Sequence, residues 1–80
     1  MAYPQYNSIV DIPTNADTEG RWKGFMVVGA TGGDNVKIRT RNQEDVTIEG
    51  VSAHTVYPIA FDKVYNTGTT VTNGKLVGLN

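Results

Sequence analysis

The sequence predicts an all-β protein, a small antiparallel β-sandwich or barrel of six to seven short strands. Its composition favours strands and turns, because Thr, Val, Ile and Asn are common and nine glycines are present, whereas leucine and alanine are scarce. No stretch repeats apolar residues at the helical spacing i, i+3, i+4, i+7 over three turns. Turn-forming residues instead interrupt the apolar runs about every 8–12 residues, a spacing typical of small all-β domains.

Residues 1–8 are predicted to form an N-terminal arm, and residues 9–80 a single domain. The predicted strands cover residues 8–12, 21–28, 35–40, 45–49, 55–65, 69–71 and 75–79. Pro13 stops the first strand, and the dipeptide Asn73-Gly74 is a strong hairpin signal before the last one. Pro58 lies within the run 55–65, which suits an edge strand, a bulge or a break between two strands. A helix from Pro58 is the less favoured alternative, since the run before it is β-branched.

Residues 35–49 predict a hairpin whose register can be argued from its charges. A three-residue turn at 42–44 places opposite charges on one face and apolar residues on the other, each such pair contributing roughly 0.2–1 kcal/mol. This register pairs Arg41 with Asp45, Arg39 with Thr47, Lys37 with Glu49, Ile38 with Ile48 and Thr40 with Val46. An even-length turn would place apolar residues beside charges, so we predict an odd one.

The stretch "VVGATGGDNVKI" (27–38) raises the question of a phosphate-binding loop. A Walker loop needs G-x-x-x-x-G-K-[ST], but Asp34 stands where the lysine is required, and a predicted strand follows instead of a helix. The stretch therefore predicts a tight turn centred on Gly32-Gly33 between two paired strands, with Val27 opposite Ile38.

The composition argues against most catalytic and metal-dependent chemistry. The chain has no Cys, a single His (His54) and a net charge of −1. No acidic residues have EF-hand spacing, and His54 has no nucleophile beside it in the sequence. We expect no enzymatic activity, cofactor or metal, no signal peptide or membrane span, and no nucleic-acid partner.

The run "WKGFMVV" (22–28) is apolar on both faces, which is unusual for a half-buried strand of a small domain. An 80-residue chain without disulfide or metal gains little from its own core, so assembly is the expected reinforcement. We therefore predict a homo-oligomer, and the predicted subunit interface consists of Trp22, Met26, Val28, Tyr57 and Tyr65. Replacing Trp22 with Ala and Met26 with Asp together is expected to weaken assembly more than it disturbs the fold.

A monomeric carbohydrate- or nucleic-acid-binding β-barrel is the alternative of a different class. It would use Trp22, Tyr57 and Tyr65 as stacking groups, but these aromatics are scattered through the strands. The basic residues Lys37, Arg39 and Arg41 have no aromatic among them in the sequence, and the predicted hairpin offers two of them an acidic neighbour.

Several motifs, taken in order, resemble the small spike-base-like proteins of tailed phages and gene-transfer-agent particles. They cover roughly residues 9–80, and they are "DIPTNAD" (11–17), "GFMVVG" with its glycine turn, "NVKIRT", "DVTIEGV", "YPIAFDKVYNTGTT" (57–70) and "KLVGL". The chain departs from the family pattern where Phe25 or Met26 replaces a tyrosine, and where "EGVSAH" brings His54 near a usual glycine.

This resemblance implies a virion structural protein, made in the host cytoplasm, that assembles into a ring or cluster. Such a module serves as the base or decoration that attaches a spike or fibre to the capsid, so the implied partners are copies of itself and a major capsid, spike or fibre protein. A cement protein without a fibre and a tail or baseplate adaptor are alternatives within the same class. The resemblance carries over no catalytic residues.

Overall fold

A computed structural model describes residues 6–29 and 33–80 of the chain. These residues form eight strands and no helix. The strands are β1 (Ile9–Asp11), β2 (Thr18–Trp22), β3 (Gly24–Val27), β4 (Asp34–Thr40), β5 (Asp45–Val51), β6 (Val56–Tyr57), β7 (Phe61–Val64) and β8 (Leu76–Leu79). The all-β prediction is confirmed, with eight strands in place of six or seven.

The strands build two packed four-stranded antiparallel sheets, a small β-sandwich. Sheet A has the order β1-β8-β3-β6, and sheet B has the order β2-β7-β4-β5. Each sheet contains strands from both halves of the chain, so most of the pairing is long-range. The edge strands are β1 and β6 in sheet A, and β2 and β5 in sheet B.

The core between the sheets is built around three aromatic rings. Phe61 of β7 stacks on Trp22 with ring centroids 5.0 Å apart, and it meets Phe25 edge-on at 5.8 Å. Inward-facing residues of both sheets surround these rings, since alternate residues of a strand point to the same face. The buried core consists of Ile12, Trp22, Phe25, Val27, Val36, Ile38, Val51, Phe61, Val64, Val71 and Leu76.

The predicted strand 21–28 is in fact two strands that belong to different sheets. The chain leaves sheet B after Trp22 and enters sheet A at Gly24, and the Lys23 N–H donates to the Leu79 carbonyl at 2.8 Å. The step at Lys23 breaks the alternation, so Trp22 and Phe25 both face the core. The expectation of a single strand that is apolar on both faces is therefore wrong, because Trp22 and Met26 lie in different sheets.

The β4–β5 hairpin has the predicted three-residue turn, but the turn lies one residue earlier, at 41–43. The Thr40 N–H donates to the Glu44 carbonyl at 2.8 Å, and Gln43 adopts a left-handed φ of 65°. The pairing consequently shifts by two residues, to Arg39–Asp45, Ile38–Val46, Lys37–Thr47 and Val36–Ile48. A two-residue shift keeps every side chain on its predicted face, so the pattern of faces is right although the partners are wrong.

The glycine stretch does not connect two paired strands. Val27 pairs with Leu76 in sheet A, whereas Ile38 pairs with Val46 and Val64 in sheet B. The predicted partnership of Val27 with Ile38 is wrong, because the connection passes from one sheet to the other. The predicted centre of the turn includes Gly32, which lies outside the described residues.

Pro58 separates β6 from β7, so the run 55–65 is a break between two short strands, one in each sheet. The turn at Asn73-Gly74 is also present: the Lys75 N–H donates to the Thr72 carbonyl at 3.0 Å, and Gly74 has a φ of 91°. Residues 69–71 before it form no strand. Two residues assigned to the arm pair with the C-terminal residue Asn80, because the Asn7 and Ser8 N–H groups donate to its carbonyl.

Candidate functional site

The outer face of sheet A is mostly apolar, with the exposed carboxylate of Asp11 at its β1 side. The register aligns Asp11, Val77, Met26 and Val56 in one row, and Ile9, Leu79 and Gly24 in the next. The side chains of these rows point away from the core, because their neighbours Leu76, Phe25 and Val27 point into it. We call the set Ile9, Met26, Val56, Val77 and Leu79 the apolar face.

The apolar face is open to solvent at its two ends. Ile9 is 65% exposed and Val56 is 42% exposed, Met26 and Val77 between them are half-buried, and Leu79 is buried at 3% exposure. Tyr6 crosses the face beside Leu79: its hydroxyl lies 3.0 Å from the position that a Cβ on Gly24 would occupy. Exposed apolar side chains that form a continuous patch, and not scattered single residues, mark contact sites for other molecules.

The outer face of sheet B is charged. Charged side chains from all four strands point away from the core here. They are Lys37 and Arg39 on β4, Lys63 on β7, Asp45 and Glu49 on β5, and Glu19 and Arg21 on β2. We call this the charged face. Its acidic and basic residues are interspersed, so it has no strong excess of either sign. The two outer faces of the sandwich are therefore chemically unlike.

Tyr65 is the centre of a cation cluster on the charged face. The Lys63 and Lys37 ammonium groups lie 4.8 and 5.2 Å from its ring centroid, and the Arg39 guanidinium lies 5.8 Å away. Its hydroxyl donates to Asp45 at 2.7 Å, and Arg39 contacts the same carboxylate oxygen at 3.5 Å. The ring is thus held by surrounding charges and offers little free area for stacking.

The hydrogen bond from Tyr65 lowers the pKa of Asp45, and the Arg39 guanidinium acts in the same direction. The same hydrogen bond raises the pKa of the Tyr65 phenol, and contact with that phenol raises the pKa of Arg39. A carboxyl group whose pKa is lowered by folding stabilises the fold above its unfolded pKa, and this contribution is lost as the pH falls through the folded pKa. The cluster therefore weakens in acid, where Asp45 becomes protonated.

Replacing Tyr65 with Phe is expected to raise the pKa of Asp45 toward its ordinary value, because the carboxylate loses its strongest hydrogen-bond donor. The titration of the Asp45 carboxyl carbon by NMR measures this shift. Tyr57→Phe is the matched control, since the Tyr57 hydroxyl accepts from the Ser52 N–H at 2.8 Å and does not contact Asp45. An unchanged Asp45 titration in Tyr65→Phe would show that the hydrogen bond has no effect in solution.

An open cleft of about 600 Å³ lies beside the cluster on the charged face. Three guanidiniums and two carboxylates line it, together with Gly20 and Gln43. Several of these groups are already engaged within the chain: Arg41 donates to the Trp22 carbonyl at 3.2 Å, and the Gln43 amide donates to Asp62 at 3.2 Å. The lining supplies no nucleophile with a neighbouring base.

The five predicted interface residues do not share one surface. Trp22 is 7% exposed and packs in the core, so it offers almost no area to a neighbour. Tyr57 stacks on Phe25 at 4.9 Å on the inner side of sheet A, and Tyr65 lies on the charged face. Only Met26 lies on the apolar face, and Val28 follows it just beyond the end of β3, half-buried.

Sequence reasoning missed residues on both outer faces. It placed no aromatic among the basic residues, whereas the fold brings Tyr65 between Lys37 and Arg39 from a distant strand. It also predicted an acidic neighbour for two of the basic residues, but only Arg39 faces one, Asp45, across the hairpin. The apolar residues Ile9, Val56 and Val77 were also missed. The one sequence feature that indicates their outward orientation is the strand alternation, which places them on the face opposite their buried neighbours.

His54 is exposed in the turn after β5, with a left-handed φ of 62°, and its backbone N–H donates to the Val27 carbonyl at 2.8 Å. Among residues 6–29 and 33–80, no three His, Cys, Asp or Glu side chains come together as a metal site would require. The same ranges hold no helix long and apolar enough to cross a membrane.

No protein-family model matches the chain, and neither the curated proteins nor the solved structures that were compared with it contain a match.

Proposed function

We propose that this chain is a virion structural protein of a tailed phage or phage-like particle, an oligomeric base or decoration module that attaches a spike or fibre to the capsid. The apolar face carries the proposal, together with the order of motifs that resembles spike-base-like proteins. In this function the apolar face packs against another protein of the particle, the shell or the fibre, and the charged face remains in water.

The difference between the two faces supports an attachment role. The apolar face presents Ile9, Met26, Val56 and Val77 as a flat patch, a shape that suits a protein surface better than a small ligand. The charged face has interspersed charges of both signs, which suits contact with water. A module with one apolar face and one charged face binds in a single orientation, as a base between a shell and a fibre must.

The area of the apolar face supports the presence of several copies. Strand spacing of ~4.8 Å and a rise of ~3.4 Å per residue give this face on the order of 200–300 Å² per chain. A specific protein interface buries about 800 Å² per partner, of which somewhat over half is apolar, so the apolar face of one copy supplies only part of such a contact. Several copies side by side present a sufficient area, and their combined binding is stronger than that of any one copy.

Replacing Met26 with Lys is expected to remove the protein from purified particles while its far-UV circular dichroism and thermal midpoint stay close to those of the wild type. Met26 lies in the middle of the apolar face and is only half-buried, so a charge there blocks docking without entering the core. Mass spectrometry of purified particles measures how much of the protein is incorporated. The wild-type and variant genes are carried in turn by the same phage.

Asn42→Lys is the matched control, because it adds the same charge at an exposed position of the β4–β5 turn and should leave incorporation unchanged. Wild-type protein that is absent from purified particles would overturn the proposed function. An electron-microscopy map of the particle distinguishes a base under a fibre from the alternatives, a cement protein without a fibre and a tail or baseplate adaptor.

The monomeric binding barrel finds less support in the geometry. Of its three stacking groups, Trp22 is buried, Tyr57 is stacked on Phe25, and Tyr65 is surrounded by cations. These rings form no common platform on which the face of a sugar or a base would stack. Glycan and oligonucleotide arrays test this alternative directly.

A further inference from the structure

The exposed large apolar residues of the described chain lie on edge strands. They are Ile9 (65% exposed) and Val10 (47%) on β1, Val46 (40%) on β5 and Val56 (42%) on β6. An edge strand also presents unpaired backbone N–H and C=O groups, so these positions combine free hydrogen-bonding groups with uncovered apolar surface. Proteins normally cover or blunt such edges, and the edge of β5 is the longest in this fold.

The ladder pattern shows which backbone N–H and C=O groups of β5 point toward β4 and which point toward the free edge. The closing pair Thr40–Glu44 is hydrogen-bonded, so in the antiparallel ladder the pairs Ile38–Val46 and Val36–Ile48 are the bonded ones. Lys37 confirms this alternation, because its N–H and C=O bond to Thr69 and Tyr65 on the side away from β5. Its partner Thr47 therefore points its own N–H and C=O away from β4.

The free side of β5 thus offers the backbone groups of Asp45 and Thr47 to an incoming strand, and the register shift after Ile48 ends the regular ladder there. Val46, between them, faces the core side of the sheet yet remains 40% exposed, since no strand of sheet A fully covers it. A strand added at this edge would satisfy the backbone groups and cover Val46 at the same time. The bulge at Gly50, with a φ of 66°, limits the straight edge to the residues before it.

We propose that the free edge of β5 pairs with the β2 edge of a second copy of this chain, so that sheet B continues from copy to copy. This inference rests on the proposed function, which requires several copies side by side, and it names the contact between them. β2 is the other edge of the same sheet, so the β5 edge of one copy can face the β2 edge of the next. The contact on β2 is limited to the residues before Arg21, because the Arg21 carbonyl already accepts from the Asn80 side-chain amide at 2.8 Å and the β2–β7 register shifts between Glu19 and Trp22. Such a head-to-tail contact builds a ring or an open array.

The charges select β2 over a second β5 as the partner. β5 carries Asp45 and Glu49 and no basic residue, so two β5 strands would bring acidic side chains together. β2 carries Arg21 beside Glu19, and the exposed Lys23 follows it. Opposite charges therefore meet when β5 faces β2.

The apolar edge residues agree with this arrangement. Trp22 of β2 packs on Gly78 of β8, next to β1, so β1 and β2 lie on one side of the sandwich. The Ser52 N–H after β5 donates to the Tyr57 hydroxyl of β6, so β5 and β6 lie on the opposite side. A head-to-tail contact then brings Ile9 and Val10 of one copy toward Val46 and Val56 of the next.

Thr47→Pro tests the proposal, because proline removes the outward N–H of Thr47 and no hydrogen bond of the β4–β5 ladder. Proline is tolerated at such an edge position, and the variant is expected to keep the wild-type circular dichroism. Sedimentation velocity should show an oligomer for the wild type and loss of that oligomer for Thr47→Pro at the same concentration. Thr47→Val, which keeps the N–H and the branched side chain, should assemble like the wild type.

Mixing the variant with the wild type shows whether the strand that pairs with β5 is β2 or another β5. A Thr47→Pro copy still has an intact β2 edge, so it should bind one wild-type copy and end the array there. Native mass spectrometry should then show short mixed species at the expense of the full oligomer. If β5 paired with β5, the variant would not enter wild-type oligomers, and this result would overturn the proposed partner.

The remaining outcomes are also distinguishable. A wild-type oligomer that Thr47→Pro leaves intact would overturn the β5 contact while the proposed function stands. A wild type that stays monomeric up to about 100 μM but is found in particles would overturn assembly through β5 in solution, again without contradicting attachment to the particle. If Thr47→Pro unfolds, the charge pair Glu49→Lys and Arg21→Glu serves instead, because each change alone should reduce assembly and the two together should restore it.

Discussion

Replacing Trp22 with Ala is expected to destabilise the fold by about 3–5 kcal/mol, the usual cost of truncating a buried aromatic side chain. Trp22 is 7% exposed, stacks on Phe61 at 5.0 Å and covers Gly78 of β8, so its removal opens a cavity between the two sheets. A domain of this length has a free energy of unfolding of roughly 4–12 kcal/mol. The variant should therefore lose a large part of its stability, and at the lower end of this range it would be largely unfolded at 25 °C.

Urea denaturation followed by far-UV circular dichroism measures this effect, since the variant lacks the only tryptophan. Trp22→Phe keeps a ring in the stack and should cost less, and Met26→Ala on the apolar face should change the midpoint little. The double replacement of Trp22 and Met26 would consequently destabilise the fold, so it would not report on assembly alone. A Trp22→Ala variant with wild-type stability would mean that the side chain is not part of the core in solution.

Replacing Gly78 with Ala is expected to destabilise the fold by about 1–3 kcal/mol, the typical cost of overpacking a core. A Cβ at Gly78 would collide with the Trp22 ring and would lie 2.8 Å from the Cδ1 atom of Ile12. Both neighbours are buried, so neither side chain can swing into solvent to relieve the contact. The absence of a side chain at this position is what allows Trp22 to lie flat across β8.

Gly74→Ala is the matched control for this prediction. A Cβ there would meet nothing within 4 Å, so the substitution is strained only by the φ of 91°. Both variants should have lower midpoints of urea denaturation than the wild type, but only the loss in Gly78→Ala should depend on the size of the ring at position 22. In the double variant Trp22→Phe, Gly78→Ala, the smaller ring should make the combined loss less than the sum of the two single losses. Strict additivity would contradict the predicted collision.

Much of the fold followed from short-range pattern in the sequence. The strand-rich composition, the alternation of Val36, Lys37, Ile38 and Arg39, and the turn residues Asn73-Gly74 predicted an all-β chain and the face of each hairpin residue. These features depend on neighbours a few residues apart, and the two-residue period of a strand persists even when the partner is misplaced. The hairpin turn was therefore misplaced by one residue without moving any side chain to the wrong face.

The candidate site was less accessible to such reasoning. Met26 was identified from its apolar neighbours, but Val77 and Ile9 join it only because β8 and β1 pair beside β3. Tyr65 reaches its cations because β7 pairs with β4 across more than twenty residues of sequence. Alternation shows which side chains share a face of a strand, but it does not show which strands lie side by side.

Trp22 illustrates the limit most clearly. An uninterrupted strand through residues 21–28 would have placed it beside Met26 on an outer face. The sequence determines that this run is apolar, extended and followed by a turn. Only the tertiary structure decides that the chain changes sheets at Lys23, since that step is settled by the space above Gly78 and by the Lys23 hydrogen bond to Leu79. Both contacts come from the last strand of the chain, far from Trp22 in sequence.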